Sequence, residues 1–257
     1  AEISLEFRWS NGTIWWDDIF MEPCAPVADR MVKVATVYCR PPGPTVEKNL
    51  ALIGDLVDQA GKENCRFICL PEGWATNNTG LAMTRVPANM IDGPATQMLA
   101  AKAKKYGMYI ISGQYAWTGD TLNNVAVLFD PAGKIQAIYK KVHLPDSEAE
   151  QGAVPGDAMP VFNTAYGKIG MLVCWDYAFP EVSRAMALQG AEILFCPIAG
   201  DIRGADGDIN RVIARSRAID NGLYFITAIY DGSSMIIDPA GNILKESKTQ
   251  GSLLTAT

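Results

Sequence analysis

Short apolar runs recur along the chain and alternate with amphipathic stretches. Each run is five to eight residues long and rich in valine, isoleucine or aromatic residues, and glycine, proline or aspartate bounds most of them. This pattern is typical of β-strands. Nine strands are predicted, at 32–38, 66–70, 108–115, 124–130, 134–140, 168–174, 191–197, 223–230 and 234–239.

Three of the intervening stretches carry helix start and stop signals. Proline opens the second and third stretches, glycine closes both, and Thr45 is placed to cap the first. Proline in the first turn and glycine after the last are the usual boundaries of a helix. Helices are therefore predicted at 45–61, 94–106 and 180–190.

The tetrapeptide Asp-Pro-Ala-Gly occurs at 130–133 and again at 238–241, each time between two predicted strands. It is a turn signal, so the chain contains hairpins as well as strand-helix alternation, and the sheet is predicted to be mixed. Several strands are apolar on both sides, so both faces of the sheet must be covered. Helices are expected to cover one face, and another apolar layer is expected to cover the other. The sequence predicts a layered α/β sandwich.

Residues 1–30 follow a different pattern. Two runs rich in aromatic residues flank the turn signal Asn11-Gly12, and a proline-containing linker follows, which predicts a β-hairpin extension before a main domain at 31–257. Two interpretations of the hairpin have equal weight. It is either the tail of a preceding β-sandwich module or an N-terminal hairpin that packs on the main domain.

Composition narrows the class of protein. The 257 residues carry a net charge of −6 and no long basic run, which argues against a nucleic-acid partner or a polybasic membrane contact. No apolar stretch approaches the ~20 residues needed to cross a bilayer, so a soluble protein is predicted. The chain begins with Ala1 rather than methionine, and this leaves the compartment open between a cytoplasmic default and an exported form.

The six cysteines are scattered and predict no disulfide framework. His143 is the only histidine, and the Cys65–Cys69 pair has no matching second pair, so no metal site is predicted. Cys174 differs from the others because it ends an apolar run immediately before a turn into a helix. A cysteine there is partly exposed and suits a nucleophile, whereas a buried core cysteine is the alternative.

Two charged residues also follow predicted strands. Glu72 follows one through Pro71, and a carboxylate in an apolar cleft can accept a proton from a thiol; a surface glutamate is the alternative. Lys141 and Lys140 face opposite sides of their strand, so at most one of them points into a cleft. His143 keeps open a Cys-His hydrolase, with a structural hydrogen-bonding role as the other interpretation.

The segments LPEGW, YKKVHLP and GMLVCWDYAFPE occur in this order, each at the end of a predicted strand. Together they closely resemble the nitrilase superfamily of carbon–nitrogen hydrolases, and the resemblance covers residues 32–257. It implies a four-layer αββα sandwich that is usually dimeric, or a higher homo-oligomer, through helices beside the active site. It also implies a Glu-Lys-Cys triad and no metal or organic cofactor.

Matched residue by residue, the resemblance makes Glu72 the base, Lys141 the fixed positive charge and Cys174 the nucleophile. The family often has a second glutamate before a Pro-Gly-Asp turn, for which Glu150 is the candidate and Glu148 the alternative. Asn124, Arg217 and Asn221 match further family positions and are interpreted as structural.

The resemblance predicts hydrolysis of a small amide or N-carbamoyl amide through a thioester, with a nitrile as the alternative substrate and a non-catalytic scaffold as the rival class. Asp176 favours an amidase, because the family's nitrilases more often have glutamate there. Ala178 stands where many amidases have arginine, which puts in doubt a substrate carboxylate bound at that position.

The segment 229–233 is shorter than usual in the family, or residues are missing there. Candidate pocket walls are Trp74, Tyr115, Trp175 and Tyr177.

Overall fold

A computed structural model describes residues 12–18, 22, 30–81, 90–200 and 208–257. The chain divides into two compact units, 1–30 and 31–257. In the first unit, residues 12–18 are exposed and carry no regular secondary structure, and the rest of the predicted hairpin lies outside the described residues.

The described part of the second unit contains twelve strands, five α-helices and two 3-10 turns. The strands are β1 (Val34–Tyr38), β2 (Phe67–Leu70), β3 (Tyr109–Thr118), β4 (Thr121–Phe129), β5 (Ile135–Lys140), β6 (Val161–Thr164), β7 (Gly167–Met171), β8 (Ile193–Pro197), β9 (Tyr224–Ala228), β10 (Ser234–Ile237), β11 (Ile243–Ser247) and β12 (Ser252–Ala256). The helices are α1 (Val46–Lys62), α2 (Pro94–Tyr106), α3 (Asp146–Ala149), α4 (Pro180–Leu188) and α5 (Asp208–Asn221), and the 3-10 turns are Met90–Asp92 and Cys174–Ala178. All nine predicted strands and all three predicted helices are present; β6, β11, β12, α3 and α5 were not predicted.

The strands form two six-stranded mixed sheets. The first has the order β12-β1-β2-β3-β4-β5, and β1, β2 and β3 are parallel within it. The second has the order β11-β10-β9-β8-β7-β6, and β7, β8 and β9 are parallel. The other neighbours pair antiparallel. In each sheet, therefore, three adjacent strands end at the same edge.

The two sheets pack face to face and helices cover their outer faces. Phe67 of β2 and Phe195 of β8 meet between the sheets with ring centroids 5.4 Å apart, and Thr36 Oγ1 donates to Thr227 O at 2.7 Å. Buried residues of α1 and α2 join the core on the outer side of the first sheet, and those of α4 and α5 join the core of the second. Each fully buried aliphatic side chain contributes roughly 1.5–3 kcal/mol. The fold is the predicted four-layer αββα sandwich.

The cysteines at positions 39, 65, 69, 174 and 196 are free thiols, and Cys24 lies outside the described residues. In the described ranges, no helix is both long and apolar enough to span a membrane.

Candidate active site

Residues that follow strands of both sheets meet at one edge of the sandwich. Glu72 follows β2 and Lys141 follows β5 in the first sheet, while Ala199 follows β8 in the second. Glu72 Oε1 accepts a hydrogen bond from Lys141 Nζ at 3.0 Å, and Glu72 Oε2 accepts one from the backbone N–H of Ala199 at 2.9 Å. The carboxylate and the ammonium are both almost completely buried.

Gly113 of β3 allows the two sheets to approach closely beside this carboxylate. A β-carbon at this position would lie 2.6 Å from the Cα of Glu72 and 2.7 Å from the Cβ of Pro197. Gly113 O also accepts from the Gly73 backbone N–H at 3.0 Å, which fixes the segment just after Glu72. Any larger residue would push Glu72 or the end of β8 out of place.

A second carboxylate completes the charged cluster. Glu148 Oε1 accepts from Lys141 Nζ at 2.6 Å, and Asn124 Nδ2 donates to both Glu72 Oε1 at 2.5 Å and Glu148 Oε2 at 3.0 Å. Glu150, the predicted second glutamate, is exposed and lies outside this cluster, whereas Glu148, the alternative, is buried within it. Positions two apart on a helix do not share a face, and α3 can direct only one of the two inward.

Burial and neighbouring charges act in opposite directions on these groups. Burial by itself lowers the pKa of Lys141, but the charges of Glu72, Cys174 and Glu148 outweigh it and the pKa is raised. Burial and the Glu72 charge raise the pKa of Glu148, against the opposing effects of Lys141 and Asn124. The lysine therefore remains a fixed cation between two carboxylates.

Cys174 begins the 3-10 turn after β7, with φ of 46°, a left-handed backbone that residues with a side chain rarely adopt. The Glu72 carboxylate and the Ala199 backbone N–H both lie next to its thiol. Burial and the Glu72 charge raise the pKa of the Cys174 thiol, and Lys141 only partly opposes them. The resting group is therefore a neutral thiol beside its prospective base.

The His143 side chain contacts Asp176 and Phe179. Its Nδ1 lies 3.2 Å from Asp176 Oδ1, and its ring stacks on Phe179 with centroids 3.9 Å apart. Within the described part of the chain, no hydrogen bond joins His143 to Cys174. The geometry therefore favours the structural interpretation of His143 over a Cys-His pair.

The four aromatic candidates for pocket walls divide into two pairs. Trp74 is fully buried and donates from Nε1 to Ser112 Oγ at 2.9 Å, and Tyr177 is fully buried with its hydroxyl bonded to Asn210. Both are core residues, which contradicts their prediction as pocket walls. Tyr115 and Trp175 are half-buried.

Tyr115 lies directly opposite Asn124 in the β3–β4 ladder, so both side chains are on the same face of the sheet. That face carries the carboxylate cluster, because Asn124 donates to both glutamates. The Tyr115 ring also approaches Gly73, where a β-carbon would lie 2.9 Å from it. Tyr115 therefore borders the candidate site.

Two contributors were not predicted from the sequence: the Ala199 backbone N–H and Tyr230. Tyr230 follows β9 at the same edge and is half-buried; burial and the charges of Glu72 and Cys174 raise its pKa. Both lie just beyond a strand end, after β8 and β9. Because the residues just beyond β2 and β7 had already been chosen as candidates, the same criterion could have identified these two. Among the described residues, no group of three histidine, cysteine, aspartate or glutamate side chains is arranged to hold a metal ion.

Comparisons with known proteins identify the family of the chain. Residues 33–257 match the model of the carbon-nitrogen hydrolase family. The chain is 31% identical over 227 residues to a nitrilase of Pyrococcus abyssi, which covers 83% of this chain and 84% of that protein. It is 29% identical to the omega-amidase of Mus musculus, with 80% and 81% covered.

Among solved structures, the chain resembles a mutant of the amidase from Nesterenkonia sp. AN1, with a TM-score of 0.79, 25% identity and coverage of 88% of this chain and 93% of that one. That structure shows acrylamide added to the active-site cysteine. Because the family match spans nearly the whole second unit, the chain belongs to the carbon-nitrogen hydrolase family of the nitrilase superfamily and is an enzyme that hydrolyses carbon–nitrogen bonds.

Proposed function

We propose that the enzyme hydrolyses a small non-peptide amide or N-carbamoyl amide through a thioester on Cys174. Glu72 is the general base, Lys141 stabilises the oxyanion, and Glu148 holds the lysine in place. One observation carries the proposal: the Glu72 carboxylate accepts from the Lys141 ammonium and the Ala199 N–H at the same time, and it lies next to the Cys174 thiol. A base that touches both nucleophile and cation can serve every proton transfer of the reaction.

In the first half-reaction, Glu72 takes the thiol proton as Cys174 Sγ attacks the amide carbon, and the carbonyl electron pair moves onto oxygen. Lys141 Nζ and the backbone N–H of Trp175 hold this oxyanion. The Trp175 N–H donates no hydrogen bond within the described part of the chain and so is available. The carbon–nitrogen bond then breaks, and the leaving nitrogen takes the proton from Glu72.

In the second half-reaction, Glu72 removes a proton from water, and the resulting hydroxide attacks the thioester carbon. The same two donors hold the second oxyanion. The carbon–sulfur bond breaks, the acid departs, and the proton on Glu72 returns to the thiolate of Cys174. The net reaction consumes one water and releases ammonia or an amine.

Three features support an amide rather than a nitrile. Asp176 stands where nitrilases of the superfamily more often have glutamate. The relatives include an omega-amidase and an amidase, although one is a nitrilase. Tyr115 and Tyr230 also border the site with hydroxyls that have no hydrogen-bond partner among the described residues, and these hydroxyls suit the polar groups of an amide substrate.

We also propose a homodimer or higher homo-oligomer built on α5. Ile209, Val212 and Ile219 lie on one face of this helix and are 42%, 61% and 51% exposed. An apolar stripe of this kind is typical of a surface that another subunit covers. A second copy of the chain is the occupant that the family resemblance implies.

The test of the activity is ammonia release from a panel of ω-amides, N-carbamoyl compounds, simple aliphatic amides and nitriles. Wild type is compared with Cys174→Ala and with Cys65→Ala, which removes a buried thiol just before β2, at the opposite end of that strand from Glu72. We expect release by wild type and Cys65→Ala and none by Cys174→Ala. Release that survives in Cys174→Ala would contradict the proposed nucleophile. Complete silence, together with no thiol-specific inactivation at Cys174, would favour the scaffold.

A further inference from the structure

Asp176 has an unusual environment for a carboxylate. It is fully buried, and four groups approach its two carboxylate oxygens within hydrogen-bond distance. Oδ1 accepts from the His143 backbone N–H at 2.8 Å and lies 3.2 Å from His143 Nδ1, while Oδ2 accepts from the Tyr139 hydroxyl at 2.8 Å and the Val173 backbone N–H at 3.1 Å. No lysine or arginine among the described residues pairs with it. Its burial is therefore compensated mainly by hydrogen-bond donors, with a smaller contribution from the charge of Lys141.

The four donors come from two segments that are remote in sequence. Val173 immediately precedes Cys174, whereas Tyr139 and His143 lie two residues before and two residues after Lys141. One carboxylate thus connects the turn that carries the thiol to the strand end that carries the ammonium. The two segments belong to different sheets, and this connection crosses the interface between them.

His143 contacts the same turn a second time. Its ring is nearly parallel to Phe179, at an interplanar angle of 9°, and Phe179 immediately follows the turn. Trp175 packs edge-on against Phe179 with ring centroids 6.1 Å apart. The segment 173–179 is therefore held near its start by Asp176 and at its end by Phe179.

The conformation of Cys174 gives a reason for this support. A non-glycine residue at a φ of 46° is strained by about 1–3 kcal/mol and persists only where its surroundings determine the backbone. The reaction also requires Cys174 Sγ and Lys141 Nζ to address the same carbonyl group. A displacement of about 1 Å between such groups costs about 100-fold in rate.

We propose that Asp176, with His143 and Tyr139 as its partners, is a positioning residue that sets the distance between the Cys174 thiol and the Lys141 ammonium. It does not touch substrate. Its role rests on the proposed function of those two residues. Loss of Asp176 should therefore affect two properties of the enzyme differently. Thiol reactivity needs only Cys174 and Glu72 and should be retained, whereas acyl transfer also needs Lys141 at the right distance and should fall.

The experiment compares two reactions of the same thiol. Alkylation by iodoacetamide forms no oxyanion, whereas acylation by p-nitrophenyl acetate does and releases a measurable burst of p-nitrophenolate. In Asp176→Asn, the NH₂ group replaces one of the two carboxylate oxygens and cannot accept a hydrogen bond. The donors that faced this oxygen therefore lose their acceptor. We expect the acylation rate of Asp176→Asn to fall about 30-fold and its alkylation rate to stay within about threefold of wild type.

Two further variants keep the test decisive if Asp176→Asn folds poorly. Tyr139→Phe removes one donor and should reduce acylation about tenfold. His143→Phe keeps the stacking on Phe179 and the backbone donor but removes the Nδ1 group beside Asp176 Oδ1, so it should also reduce acylation, by up to about tenfold. Equal losses of acylation and alkylation, or no loss of either, would overturn the inference.

Crystal structures of wild type and Asp176→Asn provide a readout that needs no turnover. We expect the separation of Cys174 Sγ and Lys141 Nζ to change in the variant, and an identical separation would overturn the inference. Wild type and Cys174→Ala are assayed in parallel. Absence of any burst from wild type would count against the proposed function, whereas a normal burst from Asp176→Asn would count against this inference alone.

Discussion

The carboxylate of Glu72 and the ammonium of Lys141 are 3.0 Å apart, and neither side chain is more than 1% exposed. Removing one partner of such a pair leaves the other as an uncompensated buried charge, which is much more costly than the loss of a surface ion pair. Breaking the contact proposed to run the reaction should therefore also destabilise the fold, so changes to it should be visible in both activity and stability.

The first prediction concerns Lys141→Met. This change leaves Glu72 and Glu148 facing each other without a cation, so the free energy of unfolding should fall by about 3–5 kcal/mol, in addition to the loss of turnover. Urea denaturation measures the stability. Lys140→Met is the matched control on the opposite side of the strand and should shift stability by no more than about 0.5 kcal/mol. Equal effects of the two changes would contradict the buried-cluster argument.

The second prediction separates the two glutamates of the loop. Glu148→Gln removes a charged acceptor from Lys141 and should lower kcat by about 10–100-fold, because the ammonium loses one of its two anchors. Glu150→Gln alters an exposed side chain and should leave kcat unchanged. Steady-state kinetics on one substrate measures both. The opposite order of effects would restore Glu150 as the second glutamate.

The third prediction is the ionisation of the thiol. Burial and the Glu72 charge raise the pKa of Cys174, so its thiolate should appear only at higher pH than that of an ordinary cysteine, whose pKa is 9.0. Ultraviolet titration of wild type minus Cys174→Ala measures it. In a Cys-His pair the pKa of the thiol would shift in the opposite direction, because an imidazolium lowers the pKa of a neighbouring thiol. Thiolate at neutral pH would therefore favour that rival.

The fourth prediction concerns Tyr230→Phe. The Tyr230 hydroxyl has no hydrogen-bond partner in the described part of the chain, so its removal should not destabilise the protein. If it binds substrate, KM should rise about fivefold to tenfold with little change in kcat, as expected for a lost neutral hydrogen bond. A drop in kcat at constant KM would instead place this hydroxyl in the chemical step.

The fifth prediction concerns assembly. Val212→Glu puts a charge into the apolar stripe of α5 and should shift the protein towards monomer, measured by light scattering after gel filtration. Leu244→Glu on β11 is the matched control, because Leu244 is 39% exposed and lies on a different element. A wild-type monomer, or assembly unaffected by Val212→Glu, would remove α5 as the proposed interface.

The sequence predicted the elements whose pattern is dictated by burial. It failed for α5, where exposed residues such as Val212 and Ile219 blur the contrast between apolar and polar faces, and for β11, whose central residues are exposed. Strand ends identified Glu72, Lys141 and Cys174. Whether Glu148 or Glu150 points into the site is determined by the orientation of the four-residue helix α3. Tyr230 and the Ala199 N–H reach the site because their strands end at the same edge as the others. The local pattern of apolar and polar residues contains neither kind of information.

The candidate site draws Glu72 and Lys141 from one sheet and Cys174 and Ala199 from the other. Neither half of the sandwich alone contains a working set of groups. During refolding, secondary structure within each sheet can recover before the sheets dock, whereas the thiol regains its base only afterwards. Recovery of Cys174 reactivity should therefore report the final docking step, and a lag between the circular dichroism signal and thiol labelling would measure how slowly the two layers join.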